Sequence, residues 1–188
     1  MADTNLITPE QVKAYIPGYT DKGEDNELLD QLIASVTSIF TSYCGIDQFQ
    51  SKEYTEYQDG NGTLFLFPNR TPIISVSHLY LDSDWAFESG SEFAIGVYTV
   101  IDNRYIAMRE DILTEGIQNV KIVYTAGYVT VPQDIQLACI KEVGKEFQRK
   151  GEQDITNRSL NDGSVTFEKG LMKSTIEVLN RYNPGFVV

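Results

Sequence analysis

The sequence predicts an α+β fold, with N- and C-terminal helices packed as a small helical bundle and an antiparallel β region inserted between them. Three observations predict it. Residues 28–44 carry apolar side chains at three- and four-residue spacing, the period of a helix buried on one face. From Lys52 to about Thr125 the pattern alternates with period two, as half-buried strands do. At Val131-Pro132 helical spacing returns. A chain of 188 residues, 41% of them apolar, is one domain's worth and can bury a core. We therefore expect a single domain over 1–188: 1–50 helical, 51–128 the β insert, 131–150 a helix, and 151–188 a loop, a short helix and a C-terminal tail.

The first helix starts at Thr8-Pro9-Glu10-Gln11, where Thr8 can cap, Pro9 suits the first helical position and Gln11 stands three residues after the cap. Ile16-Pro17-Gly18 stops it. Asp25 or Asn26 can cap the second helix. Its stripe runs through Leu28, Leu29, Leu32, Ile33, Val36, Ile39, Phe40, Tyr43 and Cys44, and Gly45 ends it. Burying this stripe is worth on the order of 10–20 kcal/mol before chain entropy is subtracted, so it must face something large.

In the β region, Asp59-Gly60-Asn61-Gly62 is expected to turn the strand at 54–58 into Leu64-Phe65-Leu66-Phe67 as a hairpin. Pro68 to Pro72 breaks that strand, Ile73 to Leu81 is the next, and Asp82 to Glu92 reads as a loop carrying Trp85 and Phe87. Residues 97–101 and 105–108, joined by Asp102-Asn103, form a second hairpin, and Val120 to Thr125 closes the region. In the helix that follows, Ile135, Ala138, Cys139, Val143 and Phe147 share a face, with Lys145, Arg149 and Lys150 where the helix dipole favours cations. The expected core is a helix pair: Leu29, Ile33, Val36 and Phe40 against Ile135, Cys139, Val143 and Phe147. Residues 151–170 are polar and read as a loop, and Leu171 to Tyr182 can form a last short helix.

Acidic residues number 27 against 15 basic ones, a net charge of −12. Such a field repels phosphate, so neither nucleic acid nor an anionic membrane is an expected binding partner. No apolar run approaches the roughly 18–20 residues of a transmembrane helix. The opening MADTNLITPEQ has neither a basic stretch nor an apolar core, so no signal peptide is expected. Cys44 and Cys139 sit in helical apolar patterns without a CxxC or histidine partner, which reads as two reduced, buried thiols.

His78 is the one histidine, on the strand Ile74 to Tyr80, and no GxSxG accompanies it. Zinc sites need clustered Cys and His, and Asp59 to Gly62 lacks the remaining ligands of a calcium loop. Neither GxxxxGK[ST] nor GxGxxG after a strand occurs. The expectation is a non-enzyme with no catalytic, metal or cofactor residues. Eleven tyrosines, nine phenylalanines and one tryptophan, set against the charge, suit protein interfaces better than base stacking.

The most specific stretch is Tyr124-Thr125-Ala126-Gly127-Tyr128-Val129-Thr130-Val131-Pro132-Gln133-Asp134-Ile135. A strand ending in Tyr-x-Ala-Gly-Tyr, then Val-Pro-x-Asp-Ile opening a helix, resembles the tailed-bacteriophage head–tail connector proteins, also called head-completion or adaptor proteins. In physical terms, Gly127 lets the backbone turn out of the sheet and Pro132 occupies the helix's first turn. Thr8 to Lys13, Tyr43-Cys44-Gly45-Ile46, Pro68-Asn69-Arg70-Thr71-Pro72-Ile73 and Leu179-Asn180-Arg181-Tyr182 are similar to that family as well. The resemblance covers nearly the whole chain.

It implies a structural virion protein without catalysis or cofactor. Such proteins form a ring, usually twelve-membered, in the neck, between the portal protein and a stopper or tail-completion protein, and prolong the DNA channel. Before assembly the place expected for it is the host cytoplasm. The acidic charge suits a channel through which DNA slides; it equally suits plain solubility. The resemblance points to the C-terminal region as the portal contact, and Ile176, Leu179, Tyr182, Phe186 and Val187 are the portal-binding candidates. The other reading is that this segment folds back on its own helices. On the portal reading, a chain cut after Gly170 should stay folded. Trp85 and Phe87, in a loop where a monomer gains little from them, are candidates for the ring or tail-side interface. The reading from another class is a monomeric small-molecule or carbohydrate-binding β module with helical flanks.

Overall fold

A computed structural model describes residues 4–20, 25–149, 157–160, 163–166 and 170–183. The fold is α+β. The chain forms two compact units, Met1–Phe49 with Val131–Val188, and Gln50–Thr130.

The first unit holds α1 (Pro9–Tyr15), α2 (Asp25–Cys44), α3 (Gln133–Gln148) and α4 (Lys173–Asn180). Pro9 opens α1, and the Thr8 N–H donates to Gln11 Oε1 at 2.8 Å. In α2, Leu29, Ile33, Phe40 and Cys44 are fully buried while Ile39 is 46% exposed, so the buried stripe is narrower than the apolar pattern. Its C-terminus closes with the Ile46 N–H on the Thr41 carbonyl at 3.0 Å. Packing joins α2 to α3, α4 to both, and α1 to α2 and α3. The expected helix-pair residues are buried except Phe147, which is half-buried with its ring 6.1 Å from Tyr19. Pro132 stands just before α3 rather than within its first turn, its carbonyl accepting from the Gln136 N–H at 3.1 Å. Both cysteines are free and buried; burial pushes the Cys44 thiol up to about 11 and that of Cys139 up to about 12. Neither is a thiolate at neutral pH.

The second unit contains β1 (Lys52–Gly60), β2 (Phe65–Leu66), β3 (Ile73–Leu81), β4 (Tyr98–Ile101), β5 (Tyr105–Met108) and β6 (Gly116–Ala126). They form two antiparallel three-stranded sheets, in the orders β1-β6-β3 and β2-β5-β4. One core joins them, with Leu79, Ile122 and Tyr124 from the first sheet and Leu66, Ile106 and Met108 from the second. Alternation along each strand therefore gives each sheet a second face turned away from this core.

The hairpin expected between 54–58 and 64–67 does not form. Instead β1 pairs with β6, Tyr54 opposite Tyr124, and β2 pairs with β5, Leu66 opposite Ile106. The turn at Asp59 to Gly62 serves another purpose: it carries the chain from one sheet to the other. A buried side chain, Asn119, organises this crossing. Its Oδ1 accepts from the Gly60 N–H at 2.7 Å and its Nδ2 donates to the Thr114 carbonyl at 3.0 Å. A Cβ at Gly60 would fall 1.9 Å from that carbonyl oxygen, so the backbones can approach this closely only without a side chain. The second expected hairpin does form. Asp102 and Asn103 between β4 and β5 both take positive φ, 50° and 56°, as a tight hairpin of matching twist requires.

Gly127, where the strand leaves the sheet, has φ of 109° and its N–H donates to the Pro72 carbonyl at 2.9 Å. Part of the expected loop at 151–170 is strand: β7 (Asn157–Leu160) and β8 (Gly163–Thr166) pair antiparallel. Their sequences, Asn157-Arg158-Ser159-Leu160 and Gly163-Ser164-Val165-Thr166, carry little hydrophobic period.

Candidate interaction surface

The loop after β3 is fixed by one carboxylate. Asp82 accepts from the backbone N–H groups of Asp84, at 2.9 Å, and Phe87, at 2.8 Å. These hydrogen bonds hold its carboxyl below the ordinary aspartate value. The Asp82 N–H donates to the Asn119 carbonyl at 2.8 Å, which ties the loop to β6.

Within this frame Trp85 and Phe87 take φ of 58° and 50°, the left-handed region that bulky residues rarely enter, at a cost of order 1–3 kcal/mol each. The Trp85 indole donates to the Ile117 carbonyl at 2.9 Å, yet the residue is 61% exposed. Phe87 lies edge-on to Tyr57 at 5.4 Å and to Tyr80 at 6.3 Å. Lys121 sits between the strands, its Nζ 5.2 Å from the Tyr80 ring centre, 5.6 Å from that of Phe87 and 6.0 Å from that of Tyr57. Together Tyr57, Trp85, Phe87 and Gln118 line an open cavity of about 380 Å³.

The structure thus brings the two loop candidates together, and adds Tyr57, Tyr80 and Lys121 from three strands. Sequence reasoning missed those three. A signal was present: Tyr57 and Tyr80 alternate with residues of the opposite phase, but which phase faces the core depends on pairing. A second aromatic cluster was missed for the same reason. Phe65, Phe67 and Tyr105 meet at ring distances of 5.9 and 5.4 Å, with Phe65 and Phe67 well exposed on either side of buried Leu66.

The C-terminal candidates divide. Leu179 is fully buried, and its carbonyl accepts from Cys44 Sγ at 3.7 Å. Tyr182 is half-buried; its hydroxyl donates to Asp134 Oδ1 at 2.7 Å and its ring stands 6.2 Å from Phe49. Ile176 is half-buried, and Phe186 and Val187 lie outside the described residues. Around them, Arg181 pairs with Asp134 at 3.0 Å and the Tyr43 hydroxyl donates to Asn180 Oδ1 at 2.6 Å. At the other end of α4, buried Glu142 accepts from the Met172 N–H at 2.6 Å, and Lys145 donates to the Gly170 carbonyl at 2.6 Å. The helix belongs to the core of its unit. This corrects the expectation that a chain cut after Gly170 stays fully folded and loses only portal binding.

His78 is half-exposed, with Nδ1 2.6 Å from Glu92 Oε1 and its ring stacked 6.0 Å from Tyr80. Among the described residues, no three His, Cys, Asp or Glu side chains are grouped to hold a metal ion. Among them, too, no helix is long and apolar enough to cross a membrane.

Fold and surface together define the class: an α+β protein whose β unit carries aromatic side chains on exposed faces, fixed there by polar loop contacts. The chain belongs to the head completion protein family, which matches it over residues 5–182. Its fold is similar to that of a chain in the neck of an empty GTA particle computed with C6 symmetry, with a TM-score of 0.58, 14% identity, and coverage of 95% of this chain and 89% of that one. A chain in the neck of the native GTA particle computed with C12 symmetry gives a TM-score of 0.55 at 14% identity, covering 86% and 85%. One in the virion of the native gene transfer agent gives 0.57 at 13%, covering 94% and 92%. No curated protein matches the chain significantly.

Proposed function

We propose that this chain is a non-catalytic structural protein of a virion neck, forming a ring that joins the portal to a stopper or tail-completion protein and extends the DNA channel. The observation that carries this reading is the family match across residues 5–182. Structures of similar fold come from necks computed with C12 and C6 symmetry, which supports a ring, with twelve subunits as the reading. The net charge of −12 suits a channel wall that does not grip phosphate. Before assembly the protein would reside in the host cytoplasm.

In this reading Trp85 and Phe87 serve the ring or tail-side contact. The portal contact is assigned to half-buried Ile176 on α4, to half-buried Tyr182 just after it, and to Phe186 and Val187. Leu179 supports that contact from within the core. The mass of the protein measured alone and with a portal ring tests the proposal. A ring-sized addition to the portal is the expected result; a chain that remains monomeric in both conditions would overturn it. The aromatic cavity beside Trp85 keeps the small-molecule or carbohydrate-binding reading in view. Saturable sugar-induced quenching of Trp85 fluorescence in a monomer would favour that alternative.

A further inference from the structure

We infer that the two aromatic clusters of the β unit are the two halves of one contact between copies of this chain, the Trp85 cluster of one copy seating on the Phe65–Phe67–Tyr105 cluster of the next. The inference rests on the ring reading and deepens it by naming both sides of the ring contact.

The placement comes from strand alternation. Val120 and Ile122 are fully buried on either side of Lys121, so Lys121 and its cross-strand neighbours Tyr57 and Tyr80 lie on the face of the first sheet turned away from the core. Leu66 and Ile106 point into the same core from the second sheet, so Phe65, Phe67 and Tyr105 lie on that sheet's outer face. The unit therefore exposes aromatic rings on the outer face of each of its two sheets. A ring needs this arrangement, because each subunit meets its neighbours through two different surfaces. Large rings left in water on both faces are also what a pair of contact centres looks like before association.

Charge selects this pairing over like-with-like contact. Exposed Asp84 adjoins Trp85, exposed Asp59 accepts from the Gln118 N–H at 2.7 Å, and exposed Glu115 lies two residues from Ile117. Lys121 at the centre of this face offsets only one of the three carboxylates, so two such faces keep an acidic excess and repel each other. The turn beside Tyr105 carries exposed Arg104 together with exposed Asp102 and so lacks the acidic excess. Seating one face on the other avoids the like-charge clash and gives the carboxylates a cation to approach.

The test uses two full-length variants, Trp85→Asp and Phe67→Asp, with self-association followed by sedimentation at high protein concentration and folding checked by circular dichroism. Each variant alone should lose tenfold or more in self-association. An equimolar mixture should form dimers and nothing larger, because only one intact pair of faces remains. Ile117→Asp and Phe65→Asp replace them if either variant fails to fold. Wild-type protein that associates while the mixture stays monomeric, or forms larger species, overturns the pairing and leaves the ring reading standing. Where wild-type protein associates only on a portal ring, the same variants and their mixture are scored there; wild-type protein that associates neither alone nor on a portal ring overturns both.

Discussion

Tyr124 illustrates how much one side chain settles. Its ring is fully buried, its hydroxyl donates to Glu56, and the same oxygen accepts from the Arg70 N–H at 3.1 Å. Burial first, and then the bond to Glu56, push its ionisation far above the ordinary tyrosine value. Glu56 also accepts from the Asn69 N–H and Nδ2, each at 3.0 Å, so the pair holds the segment before Pro72 against the sheet. Tyr124→Phe should cost about 1–3 kcal/mol in urea unfolding, since a hydrogen bond to a charged group is lost. An unchanged midpoint would show that the segment is held elsewhere.

Asp82 has the opposite shift. Its carboxyl is held below the ordinary value, so its support for the loop is present above the unfolded-state value and is lost as the pH falls through the folded one. Trp85 is the single tryptophan, and its fluorescence should change on acidification below the ordinary aspartate range, before the helical signal is lost. In Asp82→Asn that transition should vanish. Persistence of the same transition in the variant would assign it to another group.

At the scale of elements, α4 was legible as a helix but not as a part of the core. Its eight residues bury only Thr175 and Leu179, and polar bonds at both ends do much of the holding. The sequence pattern alone offered two destinations for such a segment, a partner or its own unit, because an amphipathic helix carries no address. Leu179→Ala should cost about 2–5 kcal/mol, as core truncations do. A chain ending at Gly170 should unfold at clearly lower temperature, whereas one ending at Asn183 should keep its midpoint and weaken only portal binding. Equal midpoints for the two truncations would return α4 to the surface. The strands tell the same story. β4 and β5 were legible as a hairpin because their turn is local, but β1 and β6 pair across some sixty residues, and no local signal specifies that partner.

At the scale of the molecule, the aromatic faces decide the assembly prediction. Replacing both Trp85 and Phe87 by Ser should leave the fold intact and weaken assembly with portal and tail proteins at least tenfold in affinity. The fold should survive because Trp85 is mostly exposed and the Asp82 contacts to the loop are backbone bonds. Assembly at wild-type affinity would reduce the loop to local packing.

The sequence by itself determined the α+β class, the four helices with the apolar face of α2, the β4–β5 hairpin, and the family resemblance. These depend on period, caps and turn residues, which act within a few positions of the chain. Tertiary structure alone decided that β1 joins β6 rather than β2, that Asn119 and Gly60 form the crossing between sheets, and that Leu179 is core. It also decided which phase of each strand faces water, and hence that Tyr57 and Lys121 join Trp85 on one face while Phe65 and Phe67 occupy the other. The reason is physical: a strand's alternation offers two equivalent faces, and only burial against a distant partner chooses between them.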